Sequence, residues 1–308
     1  MKQKLRIGTR RSALAMVQTE MIRKMILSFH PDLEIEIIEI VTHGDRVLDR
    51  PLTQIGMTGA FTKEIEHALY NNEIDLAVHS AKDLPAETPV GLCIAAVPAR
   101  EDIRDVLIST SGKVLRELPE AAVIATSSPR RKAQLLSLRP DLKIIDIRGN
   151  VDTRLRKLNE NYADGIVLAA AGLKRLDLYA HATETLDPEL FMPAVGQGAL
   201  AVEARSDDTP TKLLLLPVNN EFAAASLTLE RRMLAVMQAG CHAPVSAWSR
   251  QTDNAIRTTG RVFSPDGEVC IEASVAGLLS DSSALGASLG EALLAAGAES
   301  ILREIKEN

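Results

Sequence analysis

The sequence predicts an α/β protein: two doubly wound lobes followed by a smaller α+β C-terminal domain. Three observations carry this. Short apolar runs recur, each closed by a cluster of glycine, serine, threonine or arginine and then by a helical pattern, as parallel strands with crossover helices require. Two breaks, Pro98–Asp102 and Phe191–Leu200, bracket a middle segment that repeats the first in outline. After Asn220 the alternation stops, and one long helical pattern precedes several strands in succession. A chain of 308 residues is too long for one ordinary core. The boundaries predicted are 1–98 with 199–216 for the first lobe, 104–192 for the second and 221–308 for the third domain.

In the first lobe, Leu5–Ile7 reads as a strand leading through Gly8-Thr9-Arg10-Arg11-Ser12 into a helix with Leu14, Val17, Met21 and Met25 on one face. Ser12 suits its N-cap. Leu33, Ile35, Ile37 and Val41 mark a second strand with glutamates interleaved. Gly56-Met57-Thr58-Gly59-Ala60-Phe61 is a glycine-bracketed loop, either a lid or an ordinary connection, before a helix carrying Phe61, Ile65 and Leu69. Leu76–Val78 is a buried strand, and Leu92–Val97 another in which Cys93 is a small core residue.

In the second lobe, strands at Val123–Ala125, Lys143–Ile147 and Gly165–Leu168 each run into a helix, the first with Pro129 in its opening turn. Leu200–Glu203 returns the chain to the first lobe, and two crossings give a bilobal plan that closes around a small molecule. In the third domain, Phe222, Ala225, Leu229, Met233 and Val236 line a helix stopped at Gly240 as its C′ glycine. Strands at Val245–Trp248, Ile256–Val262 and Val269–Val275 follow, the last holding Cys270, and a helical pair closes the chain with Leu285, Leu289 and Leu293 on one helix and Ile301 and Ile305 on the other.

Composition narrows the function. With 46% hydrophobic and only 3% aromatic residues the cores are aliphatic, and base-stacking platforms are not expected. A net charge of -6 argues against a broad nucleic-acid or membrane footprint, while leaving room for a local basic cleft. The N-terminus lacks a signal-peptide core and no segment is expected to span a bilayer, so the expected setting is cytoplasmic and the expected partner a small molecule. Cys93, Cys241 and Cys270 are isolated and show no zinc spacing; reduced thiols and no metal are expected.

The stretch Asp75–Pro85 places Lys82 and Asp83 just past an apolar strand, and Pro85 ends the ladder. Open α/β sheets bind ligands at such strand ends; a solvated surface ion pair is the other reading. Arginines gather at the same kind of junction: Arg10 and Arg11, Arg130 and Arg131, Arg148 and Arg154, and Arg175. In a doubly wound sheet these junctions share one edge, so the guanidinium forks can converge on a ligand with several carboxylates. Ordinary helical surface arginines fit any one of them but not their shared position. Cys241, between Gly240 and His242-Ala243-Pro244, lies on a loop, where a reactive or modified sulfur and a partly buried turn cysteine both fit.

His79-Ser80-Ala81-Lys82-Asp83-Leu84-Pro85, Thr126-Ser127-Ser128-Pro129-Arg130-Arg131, Arg148-Gly149-Asn150-Val151-Asp152-Thr153-Arg154-Leu155, Ala171–Leu176 and Pro193–Gly198 together resemble the porphobilinogen deaminase (hydroxymethylbilane synthase) family, from about Arg6 to the end of the chain. The resemblance implies two lobes like those of periplasmic binding proteins, a third domain, and a monomer. It implies a dipyrromethane cofactor in thioether linkage to Cys241, through Ala239-Gly240-Cys241-His242-Ala243-Pro244. It implies that Asp83 contacts pyrrole nitrogens as the catalytic carboxylate. Arg10, Arg11, Ser12, Ser80, Lys82, Thr126, Ser127, Ser128, Arg130, Arg131, Arg148, Arg154 and Arg175 match positions that hold acetate and propionate groups of cofactor and substrate.

The implied reaction suits these residue types. Porphobilinogen carries two carboxylates, and its loss of ammonia leaves a cation that a carboxylate beside the ring N–H groups stabilises. Repeated condensation gives a linear tetrapyrrole. The sequence departs from the family where Gly56-Met57-Thr58-Gly59-Ala60-Phe61 lacks the usual lid lysine, where Pro129 replaces leucine and where Asp152 replaces glycine. A solute-binding protein would share the lobes but need an export signal, and a transcriptional regulator would need a DNA-binding module.

Overall fold

The computed structural model describes residues 2–42, 62–240, 243–253 and 255–307. The proposed lid, including Thr58, and Cys241 with His242 lie outside the described residues.

The first sheet has the order β2-β1-β3-β10-β4. Its strands are β1 (Lys4–Arg10), β2 (Glu34–Ile40), β3 (Leu76–Ser80), β4 (Leu92–Ala96) and β10 (Leu200–Arg205). β1 runs parallel to both β2 and β3, while β10 inserts antiparallel between β3 and β4. The second sheet has the order β7-β6-β8-β5-β9, from β5 (Asp105–Ser109), β6 (Val123–Ala125), β7 (Lys143–Ile145), β8 (Gly165–Ala169) and β9 (Glu184–Thr185). β6 is parallel to β7 and β8, and β5 is antiparallel to β8. The carboxyl ends of β1, β3, β6, β7 and β8 therefore all feed helices or turns at a ligand-binding edge.

β1 runs on through Gly8 to Arg10, further than the apolar run suggested. Gly8 lies close under Ile74: an added Cβ would sit 2.3 Å from Ile74 Cδ1, so any larger residue there would have to displace that side chain. Helix α1 (Ala13–Phe29) buries Gln18, Thr19, Ile22 and Ile26 instead of Leu14, Val17, Met21 and Met25. The predicted face is rotated by about one residue: Ile22 and Ile26 are buried fully in the core of the first sheet with Leu5, Ile7 and Val202, while Met25 packs only partly buried at its margin. Helix α2 (Lys63–Tyr70) packs Ile65 and Leu69 on the opposite face of that sheet. Cys93 is only partly buried and Cys270 is exposed, so neither is the core residue that its strand pattern suggested. Cys270 opens a strand that alternates exposed and partly buried residues, and it falls on the exposed face, opposite Ile271, Ala273 and Val275, which pack on the core.

In the second lobe, α3 (Pro129–Leu138), α4 (Val151–Asn159) and α5 (Ala170–Arg175) follow β6, β7 and β8 in turn. Helix α6 (Thr209–Leu215) completes the first lobe after β10. Strands β5 and β9 were not foreseen; β5 is buried throughout, with the apolar Val106-Leu107-Ile108 between Asp105, fully buried, and Ser109.

The third domain packs α7 (Glu221–Val236) and α8 (Ser282–Leu293) on the meander β11 (Val245–Thr252), β12 (Ala255–Phe263) and β13 (Cys270–Leu278). Leu229, Met233, Leu289 and Leu293 join Val245, Ile256 and Val262 in one core. Asn220 caps α7 by accepting from Ala223 N at 2.9 Å. The helix ends earlier than Gly240. Gln238 takes the left-handed conformation (φ 49°), and the N–H groups of Gln238 and Ala239 donate to the carbonyls of Ala235 and Leu234. That is a Schellman closure with glutamine at C′.

The run Leu279–Lys306, ending in α9 (Glu299–Glu307), is long and apolar enough by length and composition to cross a membrane, contrary to the expectation that no segment is. It is interrupted at Gly297 (φ 112°), and Leu289, Leu293, Ala298, Ile301 and Leu302 are buried in the third domain's core.

Candidate active site

After Ser80 the chain closes one 3₁₀ turn, Ala81–Asp83, whose first N–H donates to Ala199 O at 3.0 Å. The turn is thereby fixed to the second crossing between the lobes. Gly196 of that crossing lies so close that an added Cβ would sit 3.1 Å from both Ala81 C and Lys82 N, and its φ of 69° independently favours glycine. The sequence Ala81-Lys82-Asp83 is thus presented at a strand end by a rigid support.

Asp83 is exposed in a pocket also lined by Arg10, Ser12, Gln18, His79 and Ser80. Gln18 donates from Nε2 to Ser80 Oγ at 2.8 Å, fixing that hydroxyl. Ser12 uses its Oγ as the N-cap of α1, accepting from Ala15 N at 3.3 Å. His79 and Glu203, both buried, face each other at 3.2 Å between β3 and β10. Arg11 does not join this group: it is exposed and pairs with Glu39 at 3.2 Å.

The second lobe supplies the facing wall. The hydroxyls of Thr126, Ser127 and Ser128 shape the β6-to-α3 junction. Thr126 Oγ1 accepts from Ser128 N, Ser127 Oγ bridges the N–H and carbonyl of Ile147, and Ser128 Oγ caps Arg131 N. Arg130 and Arg131 are buried and turned onto Asp105. Arg131 donates from Nε and Nη2 to Asp105 Oδ1 at 3.1 and 2.7 Å, and from Nη1 to Val167 O. Arg130 places Nη2 2.8 Å from Asp105 Oδ2, donates from Nη1 to Met192 O, and lies over the Phe191 ring. Arg154 is held by its Nε to Gly149 O at 2.8 Å. Arg175 donates to Gly198 O at 2.7 Å and keeps a buried Nε without a hydrogen bond.

Electrostatics bring the two walls together. Lys82 is partly exposed, yet burial pulls its pKa from 10.5 to about 8; Arg131 and Arg130 of the opposite lobe push the same way, and Asp83 and Asp105 oppose them. Burial likewise lowers Arg154 from 12.5 to about 10, with Arg131 and Arg148 adding to the effect and Asp83 opposing it. Arg175 is lowered chiefly by burial. Four cations, Lys82, Arg130, Arg131 and Arg154, thus share two carboxylates, Asp83 and Asp105. Such a cleft is short of negative charge, and a ligand with several carboxylates relieves it. The described residues contain no cluster suited to a metal.

Sequence reasoning missed Gln18, Asp105, Gln197 and Glu230. Asp105 had a visible signal, an acid at the head of the apolar run Val106-Leu107-Ile108. Glu230 had none, being one more glutamate on a long helix. It is fully buried and accepts from Arg100 at 2.7 and 3.1 Å, from Gly196 N at 2.8 Å and from Ser249 Oγ at 2.9 Å. Both crossings and the third domain's sheet therefore meet on one carboxylate.

A family model described as "Porphobilinogen deaminase, dipyromethane cofactor binding domain" matches residues 5–213, and "Porphobilinogen deaminase, C-terminal domain" matches residues 224–295. The chain is 47% identical over 307 residues to the porphobilinogen deaminase of Brevibacillus brevis, covering 99% of each chain. It is 47% identical to that of Alkaliphilus metalliredigens, covering 98% of this chain and 95% of the relative. Among solved structures, a YaeC-family lipoprotein from Enterococcus faecalis aligns over 75% of this chain and 97% of its own at 13% identity and a TM-score of 0.43. A nutrient binding protein from Burkholderia cenocepacia aligns over 76% and 96% at 14% identity and a TM-score of 0.41.

Proposed function

The chain belongs to the porphobilinogen deaminase family, and on that footing we propose how its own residues carry the reaction. The enzyme is a transferase of tetrapyrrole synthesis, a hydroxymethylbilane synthase. It condenses four porphobilinogen molecules with loss of ammonia on a dipyrromethane primer.

The residues present fit that cofactor. The cleft carries more cations than carboxylates, and burial weakens the charged forms of Lys82, Arg154 and Arg175 as long as no anion sits among them. When bound, a dipyrromethane supplies a nucleophilic pyrrole carbon together with its own carboxylates. Cys241 is the proposed thioether anchor, two positions in sequence after Ala239, where the Schellman end of α7 closes. Lys82, Arg154 and Arg175 are the proposed carboxylate partners, with Arg10, Arg148 and the Ser80 hydroxyl completing the walls. Arg130 and Arg131 act from behind, since their guanidiniums are already turned onto Asp105.

Asp83 is the proposed catalytic carboxylate. Its backbone belongs to the turn fixed against Ala199 and Gly196, so the side chain is held at the cleft without needing to reorganise. There it accepts from pyrrole N–H groups and offsets the positive charge that develops on porphobilinogen as ammonia leaves. The partly buried Lys82 beside it keeps the cleft positive and orients substrate carboxylates away from the reacting carbon. We take the enzyme to act in the cytoplasm as a monomer, with neither nucleic acid nor membrane as partner; the net charge of -6 supports the exclusion of nucleic acid.

The observation that carries this reading is the strand-end turn Ala81–Asp83, fixed against Ala199 O and presenting Asp83 to a pocket shared with Arg10, Ser12 and Ser80. Intact mass of freshly purified, reduced protein tests it. A mass above the sequence mass by two pyrrole units supports the reading, and an unmodified mass in protein that still makes tetrapyrrole contradicts it.

A further inference from the structure

We propose that Arg231 is a positioning residue for the condensation: from helix α7 of the third domain it clamps the segment that follows the catalytic turn, and so holds Asp83 in register with the primer. The proposal rests on the assignments of Asp83 and Cys241 made above, and adds a residue that acts through other residues.

One face of α7 carries the clamp. Ala223, Leu227, Glu230 and Arg231 recur at i, i+4, i+7 and i+8, which places them on a single stripe. Ala223 and Leu227 are buried in one cluster with Ala81 and Leu84, the first residue of the turn that carries Asp83 and the residue just after it. Leu227 also lies under Gly196, where an added Cβ would sit 3.2 Å from its Cδ1 and 3.1 Å from Ala81 C and Lys82 N. Glu230 accepts from Gly196 N at 2.8 Å. Arg231 reaches further along the chain: Nε donates to Ala86 O at 3.2 Å, and Nη2 donates to Thr88 Oγ1 at 3.0 Å. The run from Ala81 to Thr88 is thus held by α7 at its beginning through Leu227 and at its end through Arg231. Asp83 lies between the two holds.

A role in stability alone does not account for this arginine. It is only 8% exposed, the two groups it donates to are neutral, and its Nη1 is buried without a hydrogen bond. Burying a guanidinium on such terms is costly, and an apolar side chain of similar length would fill the space at least as favourably. What arginine supplies is direction. Two donors on one rigid plane fix both the position and the tilt of the segment they hold. The same helix closes at Gln238 and Ala239, two positions in sequence before Cys241. The hold on the Asp83 segment and the approach to the proposed anchor therefore lie on one rigid element, about two helical turns apart. A misplacement of about 1 Å between reacting groups costs on the order of 10²-fold in rate, so such a link matters to the chemistry.

The test is Arg231→Met, which keeps the stem and removes the donors. The variant should retain the covalent pyrrole by intact mass and melt close to the parent. Its kcat should fall on the order of 10-fold or more, with KM for porphobilinogen unchanged within about twofold. A lower melting temperature with kcat retained is what a packing role gives, and that result overturns the proposal. So does a raised KM with kcat retained, which marks a binding role, or loss of the pyrrole from this variant alone, which marks a role in primer assembly. Arg231→Lys restores the charge but not the two-pronged geometry and should recover little of the loss; full recovery contradicts the clamp. Should Arg231→Met fail to fold, Thr88→Val removes one acceptor and leaves α7 intact. It should lower kcat by a smaller factor at constant KM, and an unchanged kcat overturns the proposal. Where both variants fold, Thr88→Val should add little once Arg231 is replaced, and fully additive losses count against the pairing. Absence of the bound pyrrole from the parent protein would instead count against the anchor reading itself.

Discussion

The buried carboxylate of Glu230 accepts from both terminal guanidinium nitrogens of Arg100, Nη1 to Oε1 at 2.7 Å and Nη2 to Oε2 at 3.1 Å, and so ties the third domain to the first crossing between the lobes. Its second oxygen also takes Gly196 N, two residues before the hinge glycine Gly198 whose backbone meets Glu101. Anything that alters this one carboxylate changes the seating of both crossings on α7.

Glu230→Gln should therefore be strongly destabilising. Arg100 is only 10% exposed in its side chain, and leaving it without a counter-charge costs about 3–5 kcal/mol. Chemical denaturation at pH 7 checks this; a loss below about 1 kcal/mol would mean that solvent or another acid takes over.

Asp83→Asn should leave the fold intact, because the side chain is exposed and makes no contact that holds the turn. Tetrapyrrole formation should fall on the order of 10²-fold or more, since an amide cannot offset the charge developing on porphobilinogen. Near-normal turnover in a steady-state assay would remove Asp83 from the catalytic role.

The cleft cations should cost stability whenever no ligand carboxylates sit among them. Lys82 has a pKa of about 8 against 10.5 for the free side chain, chiefly from burial. Below about pH 8 the full penalty is present, and it is relieved as pH rises from there to 10.5, where the unfolded chain still holds a proton that the folded one has lost. In a Cys241→Ala background, Lys82→Met should accordingly raise stability at pH 7 by about 1–2 kcal/mol, with the gain shrinking toward pH 10. In the pyrrole-bearing protein the same change should give no such gain. Thermal melts of the two pairs across pH 7 to 10 separate these cases.

The architecture was legible in the sequence because its signals are local. Ser12 was legible as an N-cap, and Ser12, Ser128, Asn150 and Asn220 all accept from the third helical N–H as N-caps do. The strand ends that carry Lys82, Arg148 and Arg154 followed from the same alternation. What stayed hidden depends on partners distant in sequence. The inward face of α1 is decided by which stripe meets β1 and β10, not by periodicity, since two overlapping apolar stripes share that helix. The arginine motif could be read as carboxylate-binding, but not that Asp105, some 25 residues upstream by roughly one strand and loop, had claimed both guanidiniums. Cys93 and Cys270 sit in apolar strands, yet an edge strand and an open sheet face leave them accessible.

The central claim is that Cys241 anchors the pyrrole primer in a cleft built around Asp83. It is tested most directly by mass spectrometry of a digest, in the parent and in Cys241→Ala, Cys93→Ala and Cys270→Ala. The account predicts an adduct of two pyrrole units on the peptide containing Cys241, its complete loss together with activity in Cys241→Ala, and retention of both in the other two variants. An adduct on a peptide without Cys241, or a Cys241→Ala protein that still carries covalent pyrrole and turns over, would contradict it.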